Sequence, residues 1–184
     1  MTPRWRPLRP AAARSGIAQW LAESGSLTAL LRAHCRNFGL RRLQHGIGAA
    51  QPDDPQLGAA RVWRREVLLL ADGHAVVFAR SVARVEALRD AWRLLRGLGT
   101  RPLGDAVFAR AGVHRTPIVV CRLRRGDALQ RAACRATGLD PATELWARRS
   151  GFVLRGAAVW VTEVFLPELR ALRRCGTGSD ACSG

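Results

Sequence analysis

The feature that most constrains the fold is a pair of strand-forming runs separated by two residues. Residues 60–71 (ARVWRREVLLLA) and 74–82 (HAVVFARSV) flank Asp72-Gly73. A tight two-residue hairpin needs positive φ at both central positions, which aspartate tolerates and glycine adopts freely. The runs are therefore expected to pair antiparallel. A second pair, residues 144–154 and 157–166, is joined through Arg155-Gly156 and stopped by Pro167. Residues 38–47 alternate loosely and suit a first strand. Residues 113–123 suit another, and Pro117 makes it an edge or bulged one.

Helical spacing appears between these runs. Residues 17–21 read as a short helical turn, and Ser26 or Thr28 can cap a helix reaching about Arg36. Val85, Leu88, Trp92 and Leu95 predict a helix over 85–98, ended by Gly97 or Gly99. Residues 127–137 form the last clear helical stretch. Hairpins with helices inserted between them predict an α+β fold: an antiparallel sheet with helices packed on one side. One domain, residues 17–174, is expected between a flexible basic arm (1–16) and a disordered tail (175–184). The arginine-rich, acid-free start is also compatible with a transit peptide.

Charge enters here because it suggests partners. The 184 residues carry a net charge of +16, yet all thirty basic side chains are arginine and tyrosine is absent. A compositional bias explains that charge without a polyanionic ligand. A nucleic-acid surface would interleave aromatics with arginine on an exposed face, whereas Trp63, Trp92 and Trp160 fall at apolar positions. No nucleic-acid partner is expected, and a cytoplasmic monomer is. No stretch reaches the roughly 20 apolar residues of a membrane span. Five cysteines without CxxC spacing and four scattered histidines argue against a metal site or a disulfide framework.

Nucleotide-binding glycine loops, a GxSxG elbow and HExxH spacing are all missing from the sequence. Chemistry must then rest on arginines, carboxylates and backbone donors. Period-two alternation puts Glu163 on one strand face with Val159, Val161 and Phe165, and Arg65 on another with Trp63, Val67 and Leu69. A carboxylate on an apolar face survives by pairing, hydrogen bonding or an elevated pKa. A planar guanidinium in that setting suits a small organic acid. Two readings stay open for each residue. Glu163 could simply pair with a neighbouring arginine, and Arg65 with Glu66, Glu163 or solvent.

Six segments resemble, in order, the chorismate pyruvate-lyases of the ubiquinone pathway. They are Gly25-Ser26-Leu27-Thr28; Trp63 to Leu69 (WRREVLL); Ala79-Arg80-Ser81; Leu98 to Gly104 (LGTRPLG) with Phe108; Leu145 to Ser150 (LWARRS); and Thr162 to Pro167 (TEVFLP). The resemblance implies a chorismate lyase-like α+β fold, an enclosed apolar pocket, and neither metal nor organic cofactor. It implies cleavage of chorismate to 4-hydroxybenzoate and pyruvate. Arg65 and the Leu103 amide would hold the ring carboxylate, Leu27 would line that end, and Glu163 would bind the 4-hydroxyl. Catalysis would rest on Glu163 and Arg65. Charge complementarity offers Arg149 for the second carboxylate, and the wall built by residues 109–144 stays unassigned. The competing class is a non-catalytic small-acid-sensing domain of similar fold. Such a domain is expected to follow a helix-turn-helix segment, for which a 16-residue arm is short.

Overall fold

The computed structural model describes residues 4–8, 17–58 and 60–172. In chain order the strands are β1 (Arg6–Pro7), β2 (Phe38–Ala49), β3 (Arg61–Ala71), β4 (His74–Arg84), β5 (His114–Arg115), β6 (Val119–Leu123), β7 (Leu145–Leu154) and β8 (Ala157–Phe165). The α-helices are α1 (Ala18–Ala22), α2 (Leu27–His34), α3 (Leu103–Phe108) and α4 (Ala128–Thr137). All described strands join one antiparallel sheet, ordered β1-β6-β7-β8-β4-β3-β2, with β5 also pairing β7. This is the expected α+β architecture.

Both tight turns take the conformation their residues allow. Asp72 and Gly73 have φ of 50° and 86°, and Arg155 and Gly156 have 49° and 76°. Positive φ at both central positions matches the twist of the flanking strands and fixes the register. Ala71 accordingly faces His74, and Leu154 faces Ala157. Asp72 also ties the turn to the start of β2, its Oδ1 accepting from the Asn37 N–H at 2.8 Å.

Alternation along the strands sorts side chains onto two faces. One face carries Val67, Leu69 and Phe165 against Trp20, Leu21 and Leu31 of α1 and α2. Further along it, Trp63, Phe152 and Val159 pack on Leu88, Trp92 and Leu95. The other face carries Leu68, Phe78 and Val164 against Leu129 and Ala133 of α4. Helices thus cover mainly one side, and α4 extends the cover to the second.

Two local expectations change. The helix over 85–98 is instead two 3₁₀ segments, Val85–Leu88 and Arg93–Gly97. Its apolar positions are still the buried ones, since spacings of three and four serve either helix type. Within the segment expected to be a loose arm, Arg6–Pro7 pairs with Val120 and Val119 of β6. The rest of that arm and the tail from 173 lie outside the described residues.

Candidate active site

The face shared with α1 and α2 carries a cavity between the sheet and the helices. Its floor is sheet: Arg65 and Val67 of β3, Ala79 and Ser81 of β4, Val161 and Glu163 of β8, and Arg148 and Phe152 of β7. Its roof is Gly25, Leu27 and Thr28 at the start of α2, with Leu103, Gly104 and Phe108 of α3. The two roof helices meet closely. A Cβ on Gly104 would come within 3.1 Å of Ser26 Oγ, the atom that caps α2 by accepting from the Ala29 N–H.

Ladder register spaces the charged groups. Arg65 lies opposite Ser81, and Ser81 opposite Val161; Glu163 sits two residues further along β8, opposite Ala79. Two strand spacings and a two-residue offset separate the Arg65 and Glu163 Cα atoms by about 12 Å. Two long side chains over such a gap leave room for one small ring.

Arg65 is 2% exposed, and its Nη2 donates to the carbonyl oxygens of Gly99 (3.1 Å) and Arg101 (2.9 Å). These bonds fix the strap that leads into Leu103. Among the described residues Arg65 pairs with no carboxylate, and its buried Nε has no partner. Burial, with a lesser push from Arg42, lowers its pKa to about 10, so it is still a cation at neutral pH. An unpaired cation of this kind in an apolar cavity is electrostatically suited to an anion.

Glu163 resolves the other way. Its Oε2 accepts a 2.5 Å hydrogen bond from Arg148 Nε, so the half-buried carboxylate is paired as well as cavity-lining. Arg148 is itself 1% exposed and donates through Nη1 to the carbonyls of Trp20 (2.8 Å) and Glu23 (2.6 Å). Leu27 and Leu103 both line the cavity, each at the first position of its helix.

Arg149 does not reach the cavity. Alternation turns it to the opposite face, where Nε donates to Thr162 Oγ1 (2.8 Å) and Nη2 to the Asp53 carbonyl (2.7 Å). There it joins Arg64, Arg80, Asp53, Asp54 and Glu66 in a buried ionic cluster. The assignment of Arg149 to a second carboxylate is therefore corrected.

Sequence reasoning missed Arg148 and Arg115. The first was legible: counting outward from the turn at Arg155-Gly156 sets Arg148 directly opposite Glu163. Arg115 left no local signal. It reaches the cavity from β5, donating to Ser150 Oγ (2.9 Å) and to the carbonyls of Ser24 (2.6 Å) and Gly25 (3.1 Å). Its guanidinium lies 5.2 Å from the Phe152 ring centroid and 5.7 Å from that of Phe108.

Fold and site together describe an antiparallel α+β domain that encloses an apolar cavity charged at both ends. Solved structures of this shape include PhnF from Mycobacterium smegmatis (TM-score 0.58, 18% identity, 80% of this chain and 66% of that one). The C-terminal domain of the histidine utilization repressor from Pseudomonas syringae pv. tomato is another (TM-score 0.54, 11% identity, 75% and 95%). At such identities the likeness is one of fold. Sequence relatives are more specific. The chain is 42% identical to a probable chorismate pyruvate-lyase of Azoarcus sp. strain BH72, over 91% of this chain and 93% of that one. It is 43% identical to one of Aromatoleum aromaticum, over 91% and 92%. The family model for chorismate lyase matches residues 6–174. The chain belongs to the chorismate lyase family.

Proposed function

We propose that this protein cleaves chorismate to 4-hydroxybenzoate and pyruvate. The observation that carries the reading is the pair of opposed charged groups, Arg65 and Glu163, on the floor of one apolar cavity in a chain of this family. Arg65 and the Leu103 backbone N–H hold the ring carboxylate, with Leu27 packed at the same end. Glu163 receives the 4-hydroxyl on Oε1, which accepts no hydrogen bond among the described residues while Oε2 is held by Arg148.

The chemistry asks for positioning. The C3–O bond of the enolpyruvyl ether breaks and the C4 proton leaves, making the ring aromatic. The departing enolpyruvate takes up a proton and becomes pyruvate. No external reductant, oxidant or nucleophile enters the balance. Fixing both ends of the ring orients the scissile bond and excludes water, which together supply most of what such a downhill elimination needs. Glu163, beside the 4-hydroxyl, is the group placed to move a proton at C4 or its hydroxyl.

The reading places the protein in the cytoplasm as a monomer, with the product directed towards ubiquinone. It agrees with the absence, among the described residues, of any helix long and apolar enough to cross a membrane. Purified protein mixed with chorismate should release pyruvate and 4-hydroxybenzoate in equal amounts. Folded protein that binds chorismate without turning it over would favour the small-acid-sensing alternative.

A further inference from the structure

The Glu163 end of the cavity holds more positive charge than its carboxylate balances. Arg148 Nη2 is buried with no hydrogen-bond partner, although Nε and Nη1 of the same group are fully engaged. Leaving a charged donor unsatisfied in a dry interior costs its full desolvation penalty, so a partner is expected there. Arg115 stands beside it. Both line the cavity and hold successive carbonyls of one segment, Arg148 that of Glu23 and Arg115 those of Ser24 and Gly25, and Arg115 Nη2 also donates to nothing among the described residues.

Charge balance points the same way. The ionisable side chains lining the cavity are Arg65, Arg115, Arg148 and Glu163. Arg65 contributes one positive charge at its end, and the other three leave one positive charge at theirs. A ligand that neutralises this cavity is a dianion with one carboxylate at each end.

We propose that Arg148 and Arg115 form a second carboxylate subsite beside Glu163, taking an acidic side arm attached to the ring next to its hydroxyl. This rests on the proposed activity for the ligand's identity, under which the arm is the enolpyruvyl group of chorismate. With the 4-hydroxyl on Glu163, the neighbouring C3 substituent falls on the side of the guanidinium that Glu163 already contacts. Each guanidinium keeps its Nη2 free, and one Nη2 from each side can donate a charge-assisted hydrogen bond to the same carboxylate. The subsite distinguishes substrate from aromatic product by charge, because the product has lost the side-arm carboxylate.

The test uses two ring compounds and intact protein: 3-(carboxymethoxy)-4-hydroxybenzoate and its side-arm methyl ester, titrated calorimetrically. Wild-type protein should bind the dicarboxylate about tenfold or more tighter than the ester, as expected of a charge-assisted contact. Arg115→Gln should cut that preference to about threefold or less while leaving the ester's affinity nearly unchanged. Equal binding of the two compounds by the wild type overturns the proposal without any variant. So does an Arg115→Gln variant that weakens both alike, since Arg115 would then only brace the cavity wall. Turnover separates the two readings. Chorismate cleavage without the preference removes the subsite alone, whereas the preference without cleavage removes the activity and keeps the subsite.

Discussion

Arg148 and Glu163 face each other across the β7–β8 ladder and share a 2.5 Å hydrogen bond inside the cavity. One carboxylate oxygen is thereby fixed and the other is left for a ligand. The pair serves structure and site at once, because Arg148 also gathers the carbonyls of Trp20 and Glu23.

Glu163→Gln keeps an oxygen for Arg148 Nε and removes the charge and the proton-transfer capacity. Steady-state kinetics should show kcat reduced about a hundredfold, a usual size for a lost acid–base group. The affinity for 4-hydroxybenzoate should move by only a fewfold. Unchanged kcat would end the catalytic assignment.

Arg65→Ala removes the cation that no carboxylate of the described residues neutralises. KM should rise and kcat fall together, lowering kcat/KM by roughly two to three orders of magnitude. Arg65→Lys should recover little of this, since a lone ammonium that takes over the Gly99 and Arg101 carbonyls from Nη2 lacks the further planar donors a guanidinium keeps for a carboxylate.

The product keeps contacts at both ends of the ring, so its release should be slow. Product inhibition by 4-hydroxybenzoate, with a constant no higher than the KM for chorismate, is the expected result of initial-rate measurements. A constant far above KM would mean that Arg65 and Glu163 do not both grip the ring.

Gly104→Val sets a branched side chain against Ser26 Oγ, already 3.1 Å from where a Cβ would stand. The roof helices α2 and α3 must part slightly, and Leu27 and Leu103 go with them. Affinity for 4-hydroxybenzoate should fall by about tenfold with a modest loss of thermal stability, since the strain is confined to two helix ends.

On the far face, Asp54 is buried and neither of its carboxylate oxygens has a hydrogen bond among the described residues. Burial, then the adjacent Asp53, raises its pKa above the ordinary carboxylate value. For an acid shifted this way the unfolded chain loses its proton first. The group's contribution to stability is therefore intact at low pH and is lost as pH rises from the unfolded value through the folded one. Asp54→Asn does not titrate, so its stability relative to wild type should improve from acidic to neutral pH. Denaturation curves at the two ends of that window check the sign.

Much of the floor of the site could be read from the sequence because strands obey a two-residue rule. Asp72-Gly73 and Arg155-Gly156 fix two hairpins, and alternation then assigns Arg65 and Glu163 to their faces. The same rule, carried across the second turn, separates Arg148 from Arg149; charge complementarity alone could not. What was illegible depends on contacts distant in the chain. Arg115 finds Ser24 and Gly25 some ninety residues away, and no local pattern encodes that meeting. The 85–98 segment kept its apolar positions and lost its predicted helix type, because burial fixes which side chains turn inward and leaves the winding to packing.

The turn at Arg155-Gly156 reaches further than its two residues. Side chains change faces with every step along a strand, so one inserted residue there would slide β8 against β7 and send either Glu163 or Arg148 to the α4 side. Composition, charge and the apolar pattern would be nearly untouched, and the cavity would have lost its carboxylate pair. Loop length at this one corner thus constrains the site as strictly as any charged side chain, and a chain with a longer turn would need a compensating bulge to keep the same chemistry.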